Sequence, residues 1–334
     1  MKIALCSTTI HMPHALKLLR RCGPEVEFFI ACDRNTPVDV NLFCDGIPST
    51  YAIHADQQTD WKCSDALTWN CIARRNIAFL EALKSGADAI YSWDTDNIAI
   101  STDHFDQIEM ILDHPFDGLF GSSRTGWFDA GQLIAPQHRH RGIPYDNVPQ
   151  HHYDAVTNFK VGVAAGLVIG NPDVDATLRM EHNPEIHSIS EIARAGVLID
   201  VNTHTVFNTQ NTAVIRELVP AWFMMPGVGR HDDLYASLIV QRVARERGYH
   251  VHFGKPLVWQ QRHPHDQIVD LRAEIEGMAH IRQLADLLDH IQLVGRDVIA
   301  DTRKIYETLS HCHFIPEQAV RAALLWLADC EDVL

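Results

Sequence analysis

The chain has 334 residues, 46% of them hydrophobic and 21% charged, enough for one large folded domain or two intimately packed ones. Its 43 acidic residues outnumber 28 basic ones, giving a formal charge of −15, which argues against broad, sequence-blind binding to nucleic acid but leaves room for a local basic pocket. No apolar run approaches the roughly 20 residues that span a bilayer, so no membrane insertion is expected, and the opening MKIALCSTTI turns polar too soon for a secretory signal.

KIALCSTTI is a short apolar strand ending in Ser7, Thr8 and Thr9, and HALKLLRRCG is a helix stopped by Gly23. VEFFIACD is a second strand closed by Asp33, and YAIHAD a short third one. ALTWNCIARRNIAFLEALKSGAD has the spacing of a long amphipathic helix ending near Gly86, and AIYSWD is the next strand. This alternation predicts an α/β fold of Rossmann type, with a mainly parallel central sheet and helices on both faces. Ligands of such sheets sit beyond the carboxyl ends of the strands, so Thr8, Thr9, Asp33, Asp94 and Asp96 are expected on one rim. In an extended segment Asp94 and Asp96 point the same way, and two carboxylates so placed repel unless a cation neutralises them. Oxygen ligands of this kind suit a hard divalent ion, Mg²⁺ or Mn²⁺, that also accepts diphosphate oxygens.

Residues 121–153 are rich in Gly, Pro, His and aromatics and read as a long loop with Trp127, Phe128, Arg139, Arg141 and Tyr145 facing a ligand. In the HRHR run, His138 and His140 lack the companion Cys or His of a zinc spacing. VGVAAGLVIG is a buried strand, and neither a GxGxxG fingerprint nor a glycine-rich phosphate loop is present. Asn208, Gln210 and Asn211 form a polar patch before an apolar, helix-like run. Asp232 and Asp233 open a helix, where carboxylates cap free amides and meet the positive end of the dipole. One of the two is expected to act on an acceptor hydroxyl or a sugar cation while the other caps. Pro264 enforces an extended step between His263 and His265, either of which could complete an ion's shell begun by Asp96. After Leu271 the chain is helical, read as a cap or as the surface of a homo-oligomer. The eight cysteines form no close CxxC pair, which suits a reduced, cytoplasmic protein with structural thiols.

Taken together, DTDN, NCIARRNIAFLEA, FNTQNTA, PGVGRHDDLYAS and the opening CSTTIHMPHALKLLRR resemble the GT-A glycosyltransferase superfamily. Within it the chain is most similar to the reversibly glycosylated polypeptides (the UDP-arabinopyranose mutases), their STELLO-type relatives and bacterial relatives. The resemblance covers roughly residues 1–265. It implies a GT-A-like catalytic domain with a nucleotide-sugar half (1–120) and an acceptor half (121–265), followed by a helical extension (266–334). It further implies a metal-dependent transferase acting on a UDP- or GDP-type sugar and an unidentified acceptor, or else a pyranose–furanose mutase or a non-catalytic nucleotide-sugar binder. The implied donor-side residues are Thr8, Thr9, Asp33, Arg74, Arg75, Asn76, Asp94 and Asn211. The implied metal ligands are Asp94, Asp96 and His265 or His263, and the implied catalytic pair is Asp232 and Asp233. DTDN departs from the three-aspartate run of the mutases.

Overall fold

The computed structural model describes residues 1–182 and 184–334. Its strands are β1 (Ile3–Thr9), β2 (Glu27–Cys32), β3 (Thr50–Ile53), β4 (Ala89–Trp93), β5 (Asn97–Ala99), β6 (Phe116–Ser123), β7 (Ile134–Ala135), β8 (His151–Gly170), β9 (Ser188–Ile189), β10 (Val197–Ile199), β11 (Asn211–Ile215) and β12 (Tyr249–Gln260). The helices are α1 (Leu16–Leu19), α2 (Val40–Asp45), α3 (Arg75–Lys84), α4 (His104–Asp113), α5 (Ala176–Glu181), α6 (Glu191–Ala195), α7 (Asp232–Arg245), α8 (Gln267–His290), α9 (Val298–Leu309) and α10 (Glu317–Val333).

Ten strands form one sheet in the order β3-β2-β1-β4-β11-β8-β6-β10-β12-β5, and β7 and β9 pair separately. The first four strands run parallel, as the alternation predicted. Beyond β4 the sheet is mixed rather than mainly parallel, because β11 returns antiparallel against both β4 and β8. The 20-residue β8 spans much of this half, pairing with β6 along its first part and with β12 along its second. Helices cover the sheet, and α8, α9 and α10 are packed into the same continuous apolar core through Leu284, Tyr306 and Trp326. Among the described residues no helix is long and apolar enough to cross a membrane, and all eight cysteines are free thiols.

Three local expectations are corrected. The long helix from Ala66 begins only at Arg75. Asn70 takes φ 56°, and the Asp33 carboxylate accepts the amides of Asn70 (2.6 Å) and Cys71 (3.2 Å), so these residues belong to a turn. The run after Asn211 is strand β11, because it fits between β4 and β8 as a fully buried strand. The supposed long loop contains β6 residues at its start and the first residues of β8 at its end.

Candidate functional site

The carboxyl end of β4 delivers Asp94 to a cavity, whereas Thr8, Thr9 and Asp33 at the ends of β1 and β2, expected on the same rim, are not among its lining residues. The DTDN segment is a turn rather than an extended pair of steps, since the Asn97 amide donates to the Asp94 carbonyl at 3.0 Å. Neighbours on two sides fix that turn. The Gln210 carbonyl accepts from the Asp94 amide (3.2 Å) and from Asn97 Nδ2 (2.8 Å). Gln260, at the end of β12, donates to Asp96 Oδ2 at 3.1 Å. Arg75, buried at the start of α3, donates to Ser92 Oγ (3.0 Å), the Thr209 carbonyl (2.8 Å) and Asp94 Oδ1 (2.5 Å).

The turn faces a cavity of about 400 Å³ whose lining includes Asp94, Asp96, Arg141, Asp173, Asp232, Asp233, Arg230, Arg262 and His265. Asn70 and Cys71 form another part of its wall. The two acidic pairs, far apart in sequence, therefore share one space. Asp232 starts α7, and its Oδ1 accepts the Asp233 amide at 2.9 Å. Asp233 is buried and bound through both oxygens to Arg141 Nη2, at 3.3 and 3.2 Å, with a longer bond from the Thr209 amide. Its role is thus fixed internally, whereas Asp232 stands half-buried at the cavity wall.

A network of ion pairs backs the cavity. Asp173 meets Arg141 (3.1 Å), Arg230 (2.6 Å) and Arg262. Arg230 continues to Asp270 (3.3 Å) and Glu274 (3.0 Å), and Arg262 and His265 both reach Asp270. Burial works against the charge on Asp173, but the three guanidinium groups hold its carboxyl well below the usual carboxylate range. Arg141 is likewise opposed by burial and held above its usual value by Asp233 and Asp173. Asp96 and Asp232 lack such compensation: burial, and then the neighbouring carboxylate in each case, pushes Asp96 up to about 6 and Asp232 up to about 7. The site is short of positive charge at those two carboxylates.

Other residues picked out from the sequence have internal partners. Asp33 holds the Asn70–Cys71 turn. Arg74 is buried, bonds Gln58, Ser64 and Leu67, and stacks on Trp69 at 3.4 Å. Asn76 exchanges two bonds with the Met224 backbone. Asn211 accepts from Tyr91 and donates to the carbonyls of Leu167 and Pro256. The Thr8 and Thr9 hydroxyls donate to the carbonyls of Ala31 and His11. His263 lies outside the cavity lining, with its ring 4.7 Å from that of His11. The HRHR run divides: Arg141 joins the cavity network, Arg139 pairs with Asp175 at 2.5 Å, and His138 and His140 line a smaller space of about 40 Å³. Among the described residues no group of three or more His, Cys, Asp or Glu is arranged to hold a metal ion.

Sequence reasoning missed Asp173, Arg262, Asp270 and Glu274. A signal did exist for the last two. Asp270 and Glu274 occupy the buried face of α8 continued by Gly277, Ile281, Leu284 and Leu288, and acidic residues at apolar-face positions require buried partners.

An α/β protein with an acidic, arginine-backed cavity at the end of β4 is thus defined by fold and site together. No family model and no curated protein matches the chain. Among solved structures, TarS residues 1–349 from S. aureus in complex with UDP gives a TM-score of 0.41 at 12% identity, covering 93% of this chain and 71% of that one. At that score the likeness carries no functional argument.

Proposed function

We propose that the protein is a glycosyltransferase that moves a sugar from a UDP- or GDP-type nucleotide sugar to an acceptor hydroxyl. The observation that carries this reading is the convergence of Asp94 and Asp96 with Asp232 and Asp233 on one cavity of about 400 Å³. Cleavage of a glycosyl phosphate needs positive charge at the leaving phosphate and a base at the acceptor.

Asp232 is the base in this reading. It is half-buried at the cavity, and its ordinary acidity is weakened by burial and by Asp233. Asp233 positions it, held in turn by Arg141. His265 lines the same cavity and is available to the diphosphate, while Arg262 beside it is held by Asp173 and Asp270. His265 Nδ1 faces Asp270 at 3.1 Å, which orients the ring and leaves Nε2 for a ligand. Asp96 and the Asp94 oxygen not taken by Arg75 would hold a hard divalent ion such as Mn²⁺ or Mg²⁺. Bound there, such an ion supplies charge neutralisation at the departing diphosphate.

The test is a mass-resolved product screen with UDP- and GDP-sugars, Mn²⁺ or Mg²⁺, and an acceptor panel. Donor binding with turnover in wild type, and binding without turnover in D232N, is expected. Absence of donor binding and donor hydrolysis across the panel rejects the reading. Conversion of UDP-arabinopyranose to its furanose isomer without an acceptor replaces it with a mutase.

A further inference from the structure

The C-terminal helix α10 lies outside the cavity, yet it is bonded to residues 62–66, a few positions before the Asn70–Cys71 wall. Asp329 is 2% exposed, and its two carboxylate oxygens accept the backbone amides of Lys62 and Cys63, each at 2.9 Å. Gln318 donates to the Ala66 carbonyl at 3.1 Å, and Lys62 Nζ donates to the Ala328 carbonyl at 3.1 Å. One short stretch, residues 62–66, is therefore held at three backbone positions and one side chain by a single helix.

That stretch in turn holds Arg74. Ser64 Oγ accepts from Arg74 Nη1 and the Ser64 carbonyl from Nη2, each at 3.0 Å. Gln58 accepts from the same guanidinium at 3.1 Å and donates to the terminal carbonyls of β2 (Cys32, 2.7 Å) and β3 (Ile53, 3.0 Å). The Arg74 plane then covers Trp69 at 3.4 Å. The next two residues, Asn70 and Cys71, are cavity wall, tied to the end of β2 by Asp33. Cys71 Sγ also meets Thr68, at 2.8 Å from its hydroxyl and 3.3 Å from its carbonyl, so the wall is fixed from Asp33 on one side and from the Thr68–Trp69 segment, which Arg74 covers, on the other.

We infer that Asp329 is a positioning residue for the ligand cavity, acting through residues 62–66, Arg74 and Trp69 on the Asn70–Cys71 wall. The C-terminal helix is then part of the binding apparatus. This rests on the proposed nucleotide site only for the identity of the ligand; the mechanical link stands apart from it.

Cys71 is a reporter of that wall. Its alkylation by iodoacetamide, followed at peptide level by mass spectrometry, is compared in wild type, D329N, the milder Q318A, and W326F. Trp326 belongs to α10 but bonds the Pro220 carbonyl instead of residues 62–66. D329N and Q318A are expected to speed Cys71 alkylation, D329N by roughly fivefold or more, and to weaken UDP or GDP binding with Mg²⁺ by about twofold to thirtyfold. W326F, compared at a temperature where its melting margin equals that of D329N, is expected to leave the rate near wild type. An unchanged Cys71 rate in D329N and Q318A overturns the inference, and so does an equal rise in W326F, which would mark general loosening. If wild type binds neither nucleotide, the proposed function fails while the alkylation series still decides the link.

Discussion

Arg75 donates to Asp94 Oδ1 at 2.5 Å and to the Thr209 carbonyl at 2.8 Å, so one guanidinium ties the end of β4 to the approach of β11. The same contact sets Asp94 apart from Asp96, whose Oδ2 is bonded by the neutral Gln260 amide. Arg75 was expected to touch the donor; its geometry makes it the anchor of the aspartate turn. Arg75→Ala should cost about 3–5 kcal/mol in urea unfolding, because it takes the charged partner from Asp94 and leaves the buried Thr209 carbonyl with Ser92 Oγ as its remaining donor. Arg75→Lys should recover only part of this, since a point-like ammonium cannot reproduce the fork. Unchanged stability with lost nucleotide affinity would return Arg75 to a direct ligand role.

The two carboxylates at the head of α7 should separate cleanly by mutation. Asp233→Asn removes a charged partner from buried Arg141 and should destabilise the fold measurably in urea. Asp232→Asn removes a carboxylate whose ionisation the fold already disfavours, so stability at pH 7.5 should hold or rise while turnover falls about 10²–10⁴-fold. Wild-type kcat/KM should climb with pH through an apparent value near 7 that belongs to the coupled pair. A flat profile between pH 6 and 8 would deny Asp232 the role of base.

The first four strands could be read from the sequence because each is a short, strongly apolar run ended by polar residues, and a parallel buried sheet leaves that trace. The rim positions of Asp94 and Asp96 followed from the end of β4. The helical C-terminus was equally legible. What escaped depended on contacts remote in sequence. Residues 66–74 have helical composition, but Asp33 captures two of their amides, and no local propensity records an acceptor 37 residues upstream. The antiparallel return of β11 is settled by sheet neighbours, and its apolar run fits a buried helix equally well. Asp173 escaped notice because its three arginines come from three distant segments.

Acid should unfold this protein early. Burial holds His104, His138, His140, His151 and His252 at about 4 and His231 at about 3. The unfolded chain takes up these protons near pH 6.5 and the folded chain does not, so stability is lost as pH falls from about 6.5 toward 4. The carboxyls of Asp96, Asp129 and Asp232, pushed up by burial to about 6, 6 and 7, and those of Asp175, Asp233 and Glu274, also raised, act in the opposite direction and offset part of this loss. Circular dichroism should therefore place the acid midpoint above pH 4. A native spectrum and a cooperative melt at pH 4 equal to those at pH 7 would contradict the buried, neutral histidines.

The late histidines offer the sharpest check on the cavity. His265 and Asp96 both line it, while His263 lies against His11 outside the lining. If a divalent ion and a nucleoside diphosphate occupy the cavity together, each should raise the melting temperature more in the presence of the other, since both bind the folded state alone. Asp96→Asn should remove this joint gain. His265→Ala should remove much of it, whereas His263→Ala should keep it, as should His138→Ala and His140→Ala, which line the adjoining 40 Å³ space and not the cavity itself. Differential scanning fluorimetry with Mn²⁺, UDP, and both together reads all five variants in one experiment. A joint gain lost in H138A or H140A and intact in D96N would move the ion to the loop before β8 and detach the aspartate turn from the chemistry proposed for it.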